Sequence, residues 1–436
     1  MPDDGTADDH GSFAALGVPA PLVAVLAQGG IISPRPVQAA TLPDALAGRD
    51  ILGRAQTGAG KTLGFSLPLV TRLSDGHTMA CHPRGLVLVP TRELAAQVQA
   101  VLAPLADAMG LTVATVFGGV PQRPQVAALR NRTDIIVACP GRLADLIEQG
   151  HCDLSDVEVS VLDEADHMAD LGFLPVVRRL LEATPRDGQR LLFSATLDGA
   201  IDVLARRFLV RPARHAVDTA TAPARLIHHL VTVTPADRVG VIATLASGEG
   251  RVLIFTRTKH GARKLARQLA IAGTPAAELH GNLTQGARSR NLAAFGSGEV
   301  RAMVATDIAA RGIHVDDIAL VVHADPPAEF KAYLHRSGRT ARGDAEGTVI
   351  TVQTQAQATE VRALMRKAGV KPKAATVRPD SPELRAIVGP AAKRIAPVAR
   401  TARPAGSASA ALSSAKGTGK SAAAMSAGFR GRGRRR

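Results

Sequence analysis

Five short apolar runs between residues 85 and 196 each stop abruptly at a polar or glycine-rich cluster. Gly85–Val89 runs into Pro90-Thr91-Arg92-Glu93, Thr112–Phe117 into Gly118-Gly119, and Asp134–Ala138 into Cys139-Pro140-Gly141-Arg142. Glu158–Leu162 then runs into Asp163-Glu164-Ala165-Asp166, and Arg190–Phe193 into Ser194-Ala195-Thr196. Helical periodicity fills the gaps, as in Glu93–Ala106 and Val176–Glu182. Strands alternating with helices make a parallel sheet. Ligands of such sheets bind beyond the C-terminal ends of the strands, which is where every one of these clusters falls. A second block repeats the rhythm: Arg251–Phe255 before Thr256-Arg257, Ala302–Ala305 before Thr306-Asp307, Ile318–Val322 before His323, and Thr348–Val352 to close.

The acidic cluster gains meaning from a loop upstream. Ala55-Gln56-Thr57-Gly58-Ala59-Gly60-Lys61-Thr62 follows Asp50-Ile51-Leu52 and precedes the apolar segment Leu63–Leu73. Glycines there let backbone N–H groups approach phosphates, Lys61 can reach the outer phosphates, and Thr62 can ligate Mg²⁺. A carboxylate ending a second buried strand completes such a site. Asp163 would hold the Mg²⁺, and Glu164 would orient or deprotonate an attacking water. Alone, the loop could be a turn capping a helix and the acids an N-cap; together they point to nucleotide hydrolysis.

At 436 residues the chain is too long for one ordinary domain, and 46% hydrophobic content suffices for real cores. It carries 53 Lys+Arg against 38 Asp+Glu, but 12 of the basic residues and no acid lie from Arg385 onward. A near-neutral body with a basic tail points to a polyanionic partner. Aromatics are 3%, with one Tyr and no Trp, which argues against nucleic-acid recognition by aromatic base stacking and points to the backbone as the target. The three cysteines show no metal-site or disulfide spacing, so a reducing compartment is expected. The acidic N-terminus shows no signal sequence and no run is long enough to span a bilayer; a cytoplasmic protein that does not engage membranes is expected. Gly417-Thr418-Gly419-Lys420-Ser421 in the tail has no strand before it and no apolar helix behind it, so it is a chance match to a phosphate loop.

The ordered series of clusters over roughly residues 13–376 resembles that of the DEAD-box ATP-dependent RNA helicases of superfamily 2, bacterial type. The resemblance implies an α/β fold of two RecA-like parallel-sheet domains in tandem, over 12–212 and 223–378. Around them lie a disordered acidic N-terminus (1–11), a linker (213–222) and a disordered basic tail (379–436). It implies ATP and Mg²⁺ as cofactors. Phe13 would pack on the base and Gln38 would read the adenine edge; Ala55, Gln56, Thr57, Gly58, Ala59, Gly60, Lys61 and Thr62 would hold the phosphates. Catalysis would fall to Lys61, Asp163 and Glu164, with Arg339 and Arg342 as arginine fingers reaching across a closing cleft; Thr62 and Asp163 would hold the metal.

The resemblance further implies an RNA-facing set of Arg92, Gly118, Gly119, Pro140, Gly141, Arg142, Arg257, Gly281, Gln285, Arg288 and Thr306. Ser194, Thr196, Asp166, Asp307 and His335 would couple hydrolysis to RNA. RNA would be held by its backbone with little sequence specificity. The protein would act as a monomer that separates RNA duplexes or remodels RNA–protein complexes, with ribosome assembly and RNA decay as candidate settings. An ATP-gated RNA clamp or annealing protein is the alternative. Three positions depart from the family pattern. Arg35 and Cys139 each stand where Thr is usual. His314 replaces an Asp that helps hold the ribose, so weaker ribose discrimination or weaker ATP affinity is expected.

Overall fold

The computed structural model describes residues 11–55, 58–197, 199–217, 226–310, 315, 317–340, 346–390 and 392. The first lobe is a seven-stranded sheet of β1 (Ile51–Arg54), β2 (Gly85–Leu88), β3 (Val113–Val116), β4 (Ile135–Ala138), β5 (Val159–Leu162), β6 (Gln189–Ser194) and β7 (Ala213–Ala216). Its order is β3-β4-β2-β5-β6-β1-β7, parallel throughout. The second lobe holds β8 (Leu226–Val233), β9 (Arg251–Thr256), β10 (Ala276–Leu279), β11 (Ala302–Thr306), β12 (Ile318–His323), β13 (Gly347–Thr354) and β14 (Lys373–Thr376). Its order, β10-β11-β9-β12-β13-β8-β14, is the same topology repeated.

The apolar runs of β2, β4, β5 and β6 are continuous because those strands are buried on both faces. Ile51, Val87, Val137, Val161 and Phe193 pack under the helices Lys61–Leu73 and Arg92–Ala108. Leu52, Leu88, Ile136, Leu162 and Leu192 pack on the other face, under helices Pro140–Glu148 and Leu174–Glu182. The second sheet splits in the same way, with Ile254, Val304 and Val322 on one face and Phe255, Met303 and Val321 on the other.

Two boundaries differ from the sequence reading. The expected linker at 213–222 begins with β7, an edge strand paired to β1 and tied on by Ala213 N–H to Asp50 O at 2.8 Å. It carries no apolar run because only Ala213 of its four residues is buried. The expected tail from 379 begins with an ordered helix, Pro382–Val388, whose Leu384 is wholly enclosed in the second lobe's core. Thr244 Oγ1 donates to Pro379 O at 2.8 Å beside it. The acidic N-terminus up to residue 10, residues 218–225 and the tail beyond Ala392 lie outside the described residues.

Three histidines of the second lobe are depressed below their ordinary value, and one of them, His323, is wholly buried. Burial, with the charges of Arg336 and His228, pushes His323 well below its ordinary value; its ring meets Tyr333 edge-on at 4.8 Å. His228 Nδ1 lies 2.7 Å from Tyr333 Oη, and burial lowers both His228 and His229. A histidine whose folded value is depressed refuses protons that the unfolded chain accepts. Its contribution to stability is therefore intact above about pH 6.5 and is lost as pH falls below that. The urea midpoint of this lobe should drop between pH 7.5 and 5.5. Tyr333 is the only tyrosine and there is no tryptophan, so its emission reports the lobe directly. A midpoint flat across that range would refute the assignment.

Candidate nucleotide and RNA site

The strand orders sort the polar clusters into two halves. In the first lobe β3, β4 and β2 carry the clusters read as RNA-facing, and β5, β6 and β1 carry those read as nucleotide-facing. β1 leads into the glycine loop, where Gly58 and Gly60 both have φ of +90°. At Gly60 a Cβ would also fall 2.6 Å from Gln38 Nε2 and 2.9 Å from Arg35 Cδ, so only glycine fits. Gly60 precedes the helix Lys61–Leu73, whose unpaired N–H groups face the loop. Lys61 is buried and its Nζ donates to Ala55 O at 3.0 Å, curling the ammonium over the loop. Gln56 and Thr57 lie outside the described residues.

The two residues assigned to adenine are both buried in the first lobe. Phe13 is 1% exposed within the first lobe's core, so its ring faces are already covered and it offers none to a base. Gln38 lies against the loop, and both ends of its amide are engaged there. Nε2 donates to Gly60 O at 2.9 Å, and Oε1 accepts from Arg35 N–H at 2.9 Å. The departing residue Arg35 joins this brace, its Nη1 donating to Gly58 O at 2.7 Å.

β5 delivers Asp163 and Glu164, 3% and 6% exposed. Burial raises the Asp163 carboxyl to about 6, against the lowering charge of Lys61. Burial works to raise Glu164 as well, but the hydrogen bond and charge of His167, with Arg339 and Lys61, hold it down at about 2. Adjacent acids driven apart in this way are suited to different roles. Among the described residues no group of three His, Cys, Asp or Glu could hold a metal alone. Thr62 and Asp163 fit a magnesium ion that shares its ligands with phosphates, as that ion prefers.

The residues read as coupling meet one another. Asp166 N–H donates to Ser194 Oγ at 3.3 Å, and Asp166 Oδ2 accepts from Thr196 N–H at 3.1 Å and from its hydroxyl at 3.3 Å. In the second lobe Asp307 pairs with Arg336, whose Nη2 reaches Asp307 Oδ2 at 2.7 Å. Arg336 is 3% exposed, lies over the Phe255 ring at 5.1 Å and donates to Asp325 O at 2.8 Å. It anchors the arm that carries His335 and Arg339. Arg342, the second expected finger, lies outside the described residues, as does His314.

The RNA-facing set gathers on the other half. A Cβ at Gly118, Gly141 or Gly281 would meet nothing within 4 Å, so those backbones are open to a ligand. At Gly119 a Cβ would collide with the Arg92 guanidinium, and φ is +77°. Pro140, Gly141 and Arg142 open the helix Pro140–Glu148, and Arg142 Nη1 donates to Val120 O at 3.4 Å. The departing Cys139 is a thiol raised to about 12 by burial, a packing residue rather than a nucleophile. Arg257 is exposed and Thr306 ends β11.

Reasoning from sequence missed Glu93. It accepts from Gln285 Nε2 at 3.2 Å and forms an ion pair with Arg288, while Arg92 Nη1 donates to Gln285 Oε1 at 3.3 Å. Four residues from the two lobes thus close on one another. The signal was present as a lone acid beside Arg92 in an otherwise basic set. Among the described residues no helix is long and apolar enough to cross a membrane.

Residues 35–203 match the DEAD/DEAH box helicase family and residues 237–344 the helicase conserved C-terminal domain. The chain is 36% identical over 372 residues to DEAD-box ATP-dependent RNA helicase 20 of Arabidopsis thaliana, covering 83% of this chain and 74% of that one. It is 38% identical over 373 residues to DEAD-box ATP-dependent RNA helicase 28 of Oryza sativa subsp. japonica, covering 84% of this chain but only 46% of that protein. Its fold is similar to S. cerevisiae Dbp5 bound to RNA and ADP BeF3, with a TM-score of 0.74, 26% identity, and 86% and 99% of the two chains covered. The chain belongs to the DEAD-box RNA helicase family. These relatives are eukaryotic and lend no support to the expected bacterial type.

Proposed function

We propose that the chain is an ATP-dependent RNA helicase, hydrolysing ATP to ADP and phosphate and using the meeting of its lobes to separate or remodel RNA. The observation that carries this reading is that Arg339, from the second lobe, bears electrostatically on Glu164 of the first. A hydrolytic carboxylate served by a cation from the opposite lobe acts fully only when the lobes are together. Arginines supplied in this way are worth about 10³–10⁵ in rate. Magnesium bound between Thr62 and Asp163 would neutralise charge on the transferred phosphoryl group. Lys61 and the loop N–H groups hold the outer phosphates, and Glu164, ionised at all working pH, orients the attacking water. Dbp5 in a complex with RNA and ADP BeF3 supports RNA and a nucleotide as the two ligands. On the RNA side, Arg92, Arg142 and Arg257 offer forked donors to phosphate, and the open glycine backbones offer N–H groups.

Purified protein should hydrolyse ATP several-fold faster with single-stranded RNA than without it. Lys61→Ala should abolish both rates. Turnover that ignores RNA, or that survives in the Lys61 variant, would sink the reading.

A further inference from the structure

The Glu164 carboxylate is held from one side by a residue outside the motif set. His167 lies three residues on, in the short helix Ala165–Asp170, and its Nδ1 stands 3.0 Å from Glu164 Oε2. A carboxylate only accepts, so the imidazole must donate at Nδ1. That leaves Nε2, which is buried without a hydrogen-bond partner among the described residues. The two side chains are 10% and 8% exposed. A buried polar atom left unpaired asks for a reason why that side chain stands there. The backbone asks the same: Glu164 has φ of +53°, in the left-handed region that glutamate rarely adopts. Such a conformation persists where the surroundings over-determine a residue, and it concentrates at functional sites.

The neighbouring charges explain what the imidazole is for. Lys61 and Arg339 both act on Glu164, from the loop helix and from the second lobe. A carboxylate under the pull of two cations, without a fixed partner, would be drawn toward one of them and lost to a water. Asp163 and Asp166 have partners of their own: Asp163 accepts from the Glu164 N–H, and Asp166 is tied to Ser194 and Thr196.

We propose that His167 is a positioning residue for Glu164, its Nδ1–H holding the carboxylate in the orientation that aligns the attacking water rather than letting Lys61 or Arg339 capture it. This rests on the ATPase reading above. His167→Leu removes the donor and keeps apolar volume, whereas His167→Asn restores an N–H near the Nδ1 position. Leu should lower kcat for RNA-stimulated hydrolysis by about 10- to 100-fold, the scale of a small misplacement of a catalytic group. KM for ATP, RNA affinity and melting temperature should hold, and Asn should regain most of the loss. Because His167 acts through Glu164, Leu should add nothing on a Glu164→Gln background. Wild-type kcat in the Leu variant, failure of Asn to rescue, or an additive loss in the double variant would each overturn the proposal. Nitrogen-15 NMR of histidine-labelled protein gives a readout apart from turnover. Nδ1 of His167 should carry a proton, and a neutral Nε2–H tautomer would overturn the contact. Absence of RNA-stimulated turnover in the wild type would defeat the ATPase reading instead, leaving the tautomer to decide the contact.

Discussion

Glu164→Gln should reduce RNA-stimulated ATP turnover by at least about 10²–10⁴-fold, the range that a positioned base contributes, with little loss of ATP or RNA affinity. Gln keeps the volume of the buried side chain and one acceptor, so the strand end and the contact with His167 can persist. What goes is the negative charge that the His167 contact, with Arg339 and Lys61, holds down at about 2. Removing that charge also removes its repulsion of the terminal phosphate, so nucleotide should bind as tightly as before or more so. Single-turnover hydrolysis with saturating RNA, alongside a fluorescent-nucleotide titration, separates the two effects. Turnover within tenfold of wild type would take Glu164 out of the chemistry. The wild-type carboxylate stays ionised throughout pH 5–8, so any acid limb of the rate in that range belongs to another group.

Reversing the charge of Glu93 should cripple the stimulated rate from the opposite half of the cleft. Glu93 and Arg288 form an ion pair with side chains only 9% and 11% exposed. Breaking such a pair by removing one partner typically costs about 3–5 kcal/mol, because a buried charge is left alone. Here the pair joins the two lobes, so that cost falls on closure rather than on the folding of either lobe. Glu93→Arg should therefore lower RNA-stimulated turnover about 100-fold or more, with both lobes melting as before. Exchanging the charges, Glu93→Arg with Arg288→Glu, should recover at least tenfold of the loss. A single variant within threefold of wild type would show that the contact does not govern closure.

Legibility followed burial. Central strands such as Val159–Leu162 are enclosed on both faces and therefore read as unbroken apolar runs with a polar stop. Three of the four edge strands did not read, because β7, β10 and β14 are each covered on one side or less and carry residues such as Arg214, Glu278 and Lys373. The helix Pro382–Val388 hid inside basic composition because only Leu384 of it is fully buried, with Ile387 and Val388 partly so. Phe13 and Gln38 were assigned by their chemistry, which is silent on location. A phenyl ring or an amide can face a ligand or its own fold, and the contact order of the chain does not say which.

The sequence by itself determined the local units: the loop Gly58–Thr62 with its glycines and lysine, the acids at the end of β5, and two rounds of strand and helix. These follow from short-range rules of backbone freedom, capping and hydrophobic period. Only the tertiary structure decided which units meet. β2 lies between β4 and β5 although β3 separates it from both in the chain, because parallel strands pair through crossovers whose packing, not their chain order, fixes the neighbours. That order places the glycine loop beside the acids and turns Gly118 and Pro140 to the other half. Contacts spanning about 190 residues of chain, Arg92 with Gln285 and Glu93 with Arg288, then bring the lobes together, through partners that no local pattern could have paired.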